Sequence, residues 1–245
     1  MKSIIFDIET THTTLLNWGL FEKYTPHENI LQEWRVICIG WKELGKGKPQ
    51  LLYTYTKSDK QIIKEIKKIL EGADEVIYHN GDNFDYKKLN ARALYHRLGP
   101  IPRVKSVDTL KQARKHFRLT SNRLDYIATF LGVGKKIKTD NQLWLRVLAG
   151  DKAAVDEMGQ YCLGDVLLEE KVYNALKPYI DPGINRGLVD EATKVCPKCG
   201  SSGIIKRGYF YTTVGKYQRY RCSGCHGWSH DGQNVSSKRP QHLLR

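Results

Sequence analysis

Short apolar runs alternate along the chain with amphipathic ones. Residues 3–8 (SIIFDI) have the β-branched and aromatic content of a buried strand, and residues 36–41 (VICIGW) and 51–55 (LLYTY) repeat it. GKGKP lies between the last two and predicts a turn, so part of the sheet is expected to be antiparallel. Over residues 59–70 the period changes. Ile62, Ile63, Ile66, Ile69 and Leu70 fall on one face of a helix, with the lysines mostly elsewhere. Residues 75–79 predict a strand, 84–98 a helix stopped by Gly99-Pro100, and 104–108 a short strand. Leu124, Ile127, Ala128 and Leu131 recur as on a helix ended by Gly132, and residues 151–176 predict a long helix stopped by Pro178. Strands interleaved with helices indicate an α/β domain built on one sheet.

Composition divides the chain in two. It has 245 residues and a formal charge of +14. Residues 191–245 hold 10 basic and 2 acidic side chains, whereas residues 1–190 hold 30 and 24. Four of the six cysteines also fall in the terminal stretch, while Cys38 and Cys162 stand alone and read as small buried hydrophobes of a reducing compartment. Pro178, Pro182, Gly183 and Gly187 punctuate the join. The expected organisation is a domain over residues 1–177, a linker over 178–194, a small module over 195–230 and a flexible tail over 231–245. The excess of cations favours an anionic partner such as nucleic acid. No apolar run approaches ~18 residues, so no membrane span is expected, and MKSIIFDIET does not read as a secretory signal. A cytoplasmic protein is the expectation, or one in the host cytoplasm if the chain is phage-encoded.

Three acidic patterns carry candidate chemistry. Asp7 and Glu9 stand two apart at the end of the first strand, so both carboxylates share a face and repel unless a cation lies between them. In HNGDNFD, residues 79–85, a strand runs into a polar loop and Asp85 lies just inside the next helix. Tyr161 and Asp165 are four apart on one helix face, on a stripe continued by Leu168, Val172 and Leu176. A buried Asp there needs an Arg or Lys partner, or a metal. Asp108 reads as a cap for the helix after it, Asp82 as a poorer fit than Asp85, and His79 and His116 as structural. Each pattern alone is weak; the ordered set is what carries weight.

DIET, HNGDNFD and YCLGD, in this order, resemble the motif set of the DEDDy 3′–5′ exonucleases, the proofreading-exonuclease group of the ribonuclease H-like superfamily. SVDTL and SNRLDYIATFLGVGKK between them are similar to stretches of the same group, and the long segment from Thr10 to Trp34 resembles the phage-type members. The resemblance covers residues 1–177. It implies a mixed five-stranded sheet flanked by helices, with an antiparallel meander. It also implies two Mg²⁺ or Mn²⁺ ions held by Asp7, Glu9, Asp85 and Asp165, with Tyr161 orienting the attacking water. The sister group has His five positions before the last Asp, where this chain has Gln160. The function implied is a 3′–5′ exonuclease working on single-stranded or 3′-ended DNA, with RNA as the alternative substrate and replication or repair proteins as further partners. A structure-specific endonuclease and a non-catalytic module that only binds a 3′ end are the rival readings.

Cys196-Pro-Lys-Cys199 and Cys222-Ser-Gly-Cys225 each form C-x2-C, with 22 residues between them. Paired thiolates at this spacing suit one structural Zn²⁺, and residues 204–211 and 217–222 alternate as a hairpin turning near Gly215. The module resembles the zinc ribbons of transposases and other DNA-handling proteins. So small a β domain should fold only with its metal. Lys206, Arg207, Lys216, Arg219 and Arg221 interleave with Tyr209, Phe210, Tyr211, Tyr217 and Tyr220. Lys206, Arg207, Tyr209, Tyr211, Lys216, Arg219 and Arg221 are the candidate nucleic-acid contacts, with cations for phosphates and aromatics for unpaired bases. Alternation along a strand should send some aromatics into the small core and others outward. His226 and His230 are spare candidates for the metal.

Overall fold

A computed structural model describes residues 1–19, 24–189 and 194–236. It divides into two compact units, Met1–Lys111 with Thr120–Val172, and Gln112–Leu119 with Tyr173–Arg245. In chain order the elements are β1 (Ser3–Thr10), β2 (Thr14–Leu15), β3 (Ile30–Gln32), β4 (Val36–Glu43), β5 (Gln50–Tyr53), α1 (Lys60–Glu71), β6 (Glu75–Tyr78), α2 (Asp85–Tyr95) and β7 (Lys105–Asp108). Then follow α3 (Thr109–His116), α4 (Leu124–Phe130), α5 (Asn141–Leu148), α6 (Lys152–Leu176), β8 (Ile204–Tyr211), β9 (Lys216–Cys222) and β10 (Trp228–Asn234).

The main sheet has the order β5-β4-β1-β6-β7. β1, β4 and β5 pair antiparallel, and β1, β6 and β7 parallel, so the expected mixed sheet with its meander is present. β1 is the hinge of the design because it is flanked by both pairing modes. Its period-2 alternation sorts the faces. Ile4, Phe6 and Ile8 pack with Ile62, Ile63 and Ile66 of α1 and Leu89 of α2. On another face, Ile37 and Cys38 of β4 pack with Met158 and Cys162 of α6 and Leu143 and Val147 of α5. α6 sits close because β4 presents Gly40, which pairs with Asp7. A Cβ there would lie 3.0 Å from Val166 Cγ2 and 3.1 Å from both the carbonyl and the Sγ of Cys162. Cys162 Sγ accepts from Gly40 N (3.1 Å) and donates to the Asp7 carbonyl (3.4 Å). A thiol thus joins the two sheet strands to the helix beneath the candidate site.

The structure differs from the sequence reading in three places. The β2–β3 pair and α5 were not foreseen, since a two-residue strand has no readable period and α5 is short. β10 carries order through residues 231–234, which the reading placed in the tail; it pairs with β9 at Trp228–Arg221, Ser229–Tyr220 and His230–Arg219. The remainder of the expected tail from Ser237 onward, like residues 190–193 of the expected linker, lies outside the described residues.

Candidate functional site

The acid cluster is assembled from three elements. β1 brings Asp7 and Glu9 to one face, and α6 brings Asp165 to meet them. One carboxylate oxygen from each lies within 4.8 Å of the others. Asp85, the first residue of α2, is placed beside this group and not within it. Its Oδ1 accepts from Ile8 N at 3.1 Å, the peptide between the two acids of β1. The loop before it is shaped by Asn80, left-handed at φ 66°, and by Gly81, whose added Cβ would strike the Tyr78 ring.

Charge concentration shows in the protonation of these groups. Burial, then the neighbouring Asp85, Glu9 and Asp165, hold the Asp7 carboxyl well above the usual range. Burial and then Asp165 push Glu9 to about 8. Asp85 is pushed to about 7, chiefly by burial, against the backbone N–H groups that favour its charged form. Asp165 is raised by burial, with Lys136 opposing. Its Oδ1 is buried with no hydrogen-bond partner among the described residues. Buried oxygens that repel one another, one of them unpartnered, are what a hard divalent cation would satisfy.

Two residues of this neighbourhood were not singled out from sequence. Lys136 Nζ lies 2.7 Å from Asp165 Oδ2 and donates to Tyr161 Oη at 3.1 Å. It is the cationic partner that the buried Asp required. Its only signal was its place at the end of SNRLDYIATFLGVGKK; nothing in the spacing brings residue 136 to residue 165. Glu169, one turn after Asp165, accepts from Thr109 Oγ1 at 2.8 Å, and burial pushes it to about 8. The i, i+4, i+8 series of Tyr161, Asp165 and Glu169 could have revealed it.

Asp108 behaves as the sequence suggested. Oδ1 accepts from Leu110 N and Lys111 N at the start of α3, and also from Asn80 N, while Oδ2 accepts from Asp82 N. Asp82 turns to Tyr78 Oη (2.7 Å) and Lys111 Nζ (2.6 Å), away from the cluster. His79 bridges Thr109 Oγ1 and the Asn122 carbonyl. Next to the acids is a cavity of about 420 Å³ lined by Glu9, Thr10–Thr13, Trp34, Phe84, Lys88 and Trp144. Trp144, from the unforeseen α5, donates its indole N–H to the Thr10 carbonyl at 3.1 Å.

In the second unit, the sulfurs of Cys196, Cys199, Cys222 and Cys225 lie within 4.8 Å of one another. Cys196 and Cys225 are 3.8 Å apart, and Cys199 and Cys222 3.6 Å. Four sulfurs about 2.3 Å from one tetrahedral ion would be about 3.8 Å apart, so the quartet fits one metal. Burial pushes Cys225 up to about 12, whereas at Cys222 the N–H groups of Cys225 and Gly224 overcome burial and bring the thiol to about 7. His230 instead stacks on Phe210 at 4.3 Å, and neither it nor His226 joins the quartet.

The ribbon aromatics divide between interior and surface, with most of them outside. Of the five named, only Tyr220, two residues before Cys222, is buried; Tyr209, Phe210 and Tyr211 are all exposed. The sulfur cluster and Tyr220 form the interior at one end of the sheet, and the far ends of β8 and β9 extend beyond it. Lys206, Arg207, Arg219 and Arg221 are exposed and Lys216 is half-buried. Lys216 Nζ lies 3.9 Å over the Tyr209 ring, and Arg219 lies 4.8 Å over Trp228 while donating to the Arg207 carbonyl. No helix among the described residues is long and apolar enough to cross a membrane.

A sequence model described as RNase_H superfamily matches residues 4–177. No curated protein sequence matches the chain. Among solved structures, the chain is similar to a family B DNA polymerase from the hyperthermophilic archaeon Pyrobaculum calidifontis, with a TM-score of 0.55 and 19% identity. That likeness covers 72% of this chain and 24% of the polymerase. At this identity it speaks for the fold.

Proposed function

Because the chain belongs to the RNase_H superfamily, we propose that residues 1–177 form a divalent-metal-dependent 3′–5′ exonuclease of the DEDDy type. Its substrate is nucleic acid, single-stranded DNA foremost. In this reading residues 195–230 carry a zinc ribbon that helps to grip the strand. The observation that supports the reading is the convergence of Asp7, Glu9 and Asp165 from β1 and α6 within 4.8 Å.

Oxygen donors of this kind suit Mg²⁺ or Mn²⁺. Two such ions, when bound, would lower the pKa of a water and stabilise the departing 3′ oxygen. Asp7, Glu9 and Asp165 are the residues to hold them, with Asp85 supporting from α2. Tyr161 accepts a hydrogen bond from Lys136, which also pairs with Asp165, and its hydroxyl would orient the attacking water. Burial and then Asp165 raise that phenol to about 12, so it stays protonated and able to donate. A divalent ion held by Asp165 would have to compete with Lys136, whose Nζ lies 2.7 Å from Oδ2. Four thiolates suit Zn²⁺, and the exposed Tyr209, Tyr211, Lys206, Arg207, Arg219 and Arg221, with Lys216, would contact bases and phosphates.

The test is a substrate panel with Mg²⁺ or Mn²⁺: linear DNA and RNA labelled at either end, and circular single strands. The reading expects stepwise shortening from the 3′ end and intact circles. Cleavage of circles would point to an endonuclease, and binding without hydrolysis to an end-holding module.

A further inference from the structure

Past the strand end that carries Glu9, one guanidinium lacks a counter-charge of its own. Arg35 precedes β4 and is pinned by its backbone: Thr11 N donates to its carbonyl (2.9 Å), and its own N–H donates to Thr11 Oγ1 (3.0 Å). The residue is 7% exposed, and its Nε and Nη1 are buried without a hydrogen-bond partner among the described residues. The nearby carboxylate is already engaged. Asp59 Oδ2 accepts from Arg92 Nε (2.7 Å) and Val36 N (2.9 Å), while Oδ1 accepts from Arg92 Nη2 (2.8 Å) and lies 2.5 Å from His96 Nε2. One acid thus answers two guanidiniums. Burial holds the Arg35 guanidinium below its ordinary value, Asp59 opposing and Arg92 adding to the effect.

Arg35 lines a cavity of about 310 Å³ together with Lys57, Arg92, Glu33 and Tyr95 among others. Three cations there face one acid of the lining, Glu33. Lys57 is exposed, so the opening is reachable from solvent. A buried charge without a partner is costly, and a guanidinium fork beside an ammonium suits a tetrahedral oxyanion. We propose that the Arg35–Lys57–Arg92 cavity is a phosphate-binding subsite separate from the acid cluster.

A strand phosphate is the favoured source, which rests on the nuclease reading. Trp34 lines the cavity beside Glu9, and its neighbour Arg35 lines this one. Phe84, Lys88 and Arg92 follow at four-residue steps from the N-cap along α2. Lys88 Nζ lies 3.5 Å over the Trp34 ring and Arg92 5.6 Å from it. A strand leaving Glu9 along this stripe brings a phosphodiester to Arg35. Free orthophosphate or a nucleotide phosphate would meet the same donors.

The test uses the full chain with no Mg²⁺ or Mn²⁺ added and no chelator, so that no hydrolysis intervenes and the cysteine quartet keeps its metal, and compares wild type with Arg35→Met and Lys57→Ala. Fluorescent oligothymidylate is titrated at several salt concentrations, and orthophosphate and thymidine monophosphate are followed by thermal shift. If the strand supplies the phosphate, both variants bind the oligonucleotide more weakly, and the slope of log K against log salt flattens by about 0.7 for each lost contact. If the source is a free phosphate, orthophosphate or the nucleotide raises the melting temperature of wild type and not of the variants, with oligonucleotide binding unchanged. Wild-type oligonucleotide affinity and slope in Lys57→Ala, with no variant-sensitive thermal shift, would overturn the proposal even if Arg35→Met fails to fold. Asp165→Ala with undiminished hydrolysis would sink the nuclease reading while leaving these binding results standing.

Discussion

The acid cluster and the cysteine quartet are both sets of ligand atoms within 4.8 Å, yet they are built in opposite ways. Each cysteine pair is local, two sulfurs in a four-residue turn, and one hairpin joins the pairs. The carboxylates come from residues 7, 9 and 165, held in place by a sheet, a long helix and Gly40 between them. The acid site therefore rests on a core that stands without it, including fully buried Ile4, Phe6, Ile39, Ile63 and Ile66. The quartet stands nearly at the centre of its own small interior. A metal should be optional for the fold of one region and required for the other.

The largest expected effect strikes the acid cluster. Asp7→Ala or Asp165→Ala should lower hydrolysis by about a thousandfold or more, equivalent to roughly 4 kcal/mol of barrier, while circular dichroism and melting temperature stay near wild type. Loss of the fold in these variants would mean that the acid region depends on its ligands as the cysteine quartet does. Next, a strong chelator or Cys222→Ala should collapse the amide dispersion of residues 194–236 and leave the five-stranded sheet intact. A ribbon that keeps its strand signals without metal would break the comparison from the other side.

Gly40→Ala is a sharper probe, because it disturbs the support and none of the acids. The new methyl would meet Val166 and Cys162 at 3.0–3.1 Å and press α6 away from β1. A loss of about 1–3 kcal/mol in denaturant unfolding is expected, together with weaker hydrolysis as Asp165 moves from Asp7.

A smaller effect concerns pH. Glu9 is raised from 4.5 to about 8 and Asp85 from 3.8 to about 7, so the metal-free fold holds protons that the unfolded chain releases. Their contribution is fully present below about pH 4 and is lost as pH rises through 7 to 8. Metal-free protein should therefore melt at lower temperature at pH 8 than at pH 5, and Mn²⁺ should restore more of that loss at the higher pH. The mildest change is Tyr161→Phe, expected to slow hydrolysis about tenfold with metal affinity retained, since the carboxylates remain.

What could be read from sequence follows the same contrast. Asp7 and Glu9 share a face because a strand has period 2, and Tyr161 and Asp165 because a helix repeats near four; both patterns are written in neighbouring residues. The cysteine pairs are more local still. Lys136 escaped because its partner, Asp165, is reached only through tertiary folding, by way of the loop after α4. Arg35 escaped for a similar reason: one arginine before an apolar strand gives no sign that Asp59 will be claimed by Arg92. β10 was hidden because WSHDGQN has neither apolar alternation nor a strand-rich composition, and its pairing is owed to β9. That only Tyr220 of the ribbon aromatics is fully buried was not legible, because alternation determines sides, while burial needs a second layer.

The most direct test of the central claim is time-resolved hydrolysis of a 5′-labelled single-stranded DNA by wild type and Asp165→Ala, with Mn²⁺ and with EDTA. A ladder shortening one nucleotide at a time from the 3′ end is expected, seen only for wild type and only with the metal. Equal ladders from both proteins, or cleavage that persists in EDTA, would contradict it.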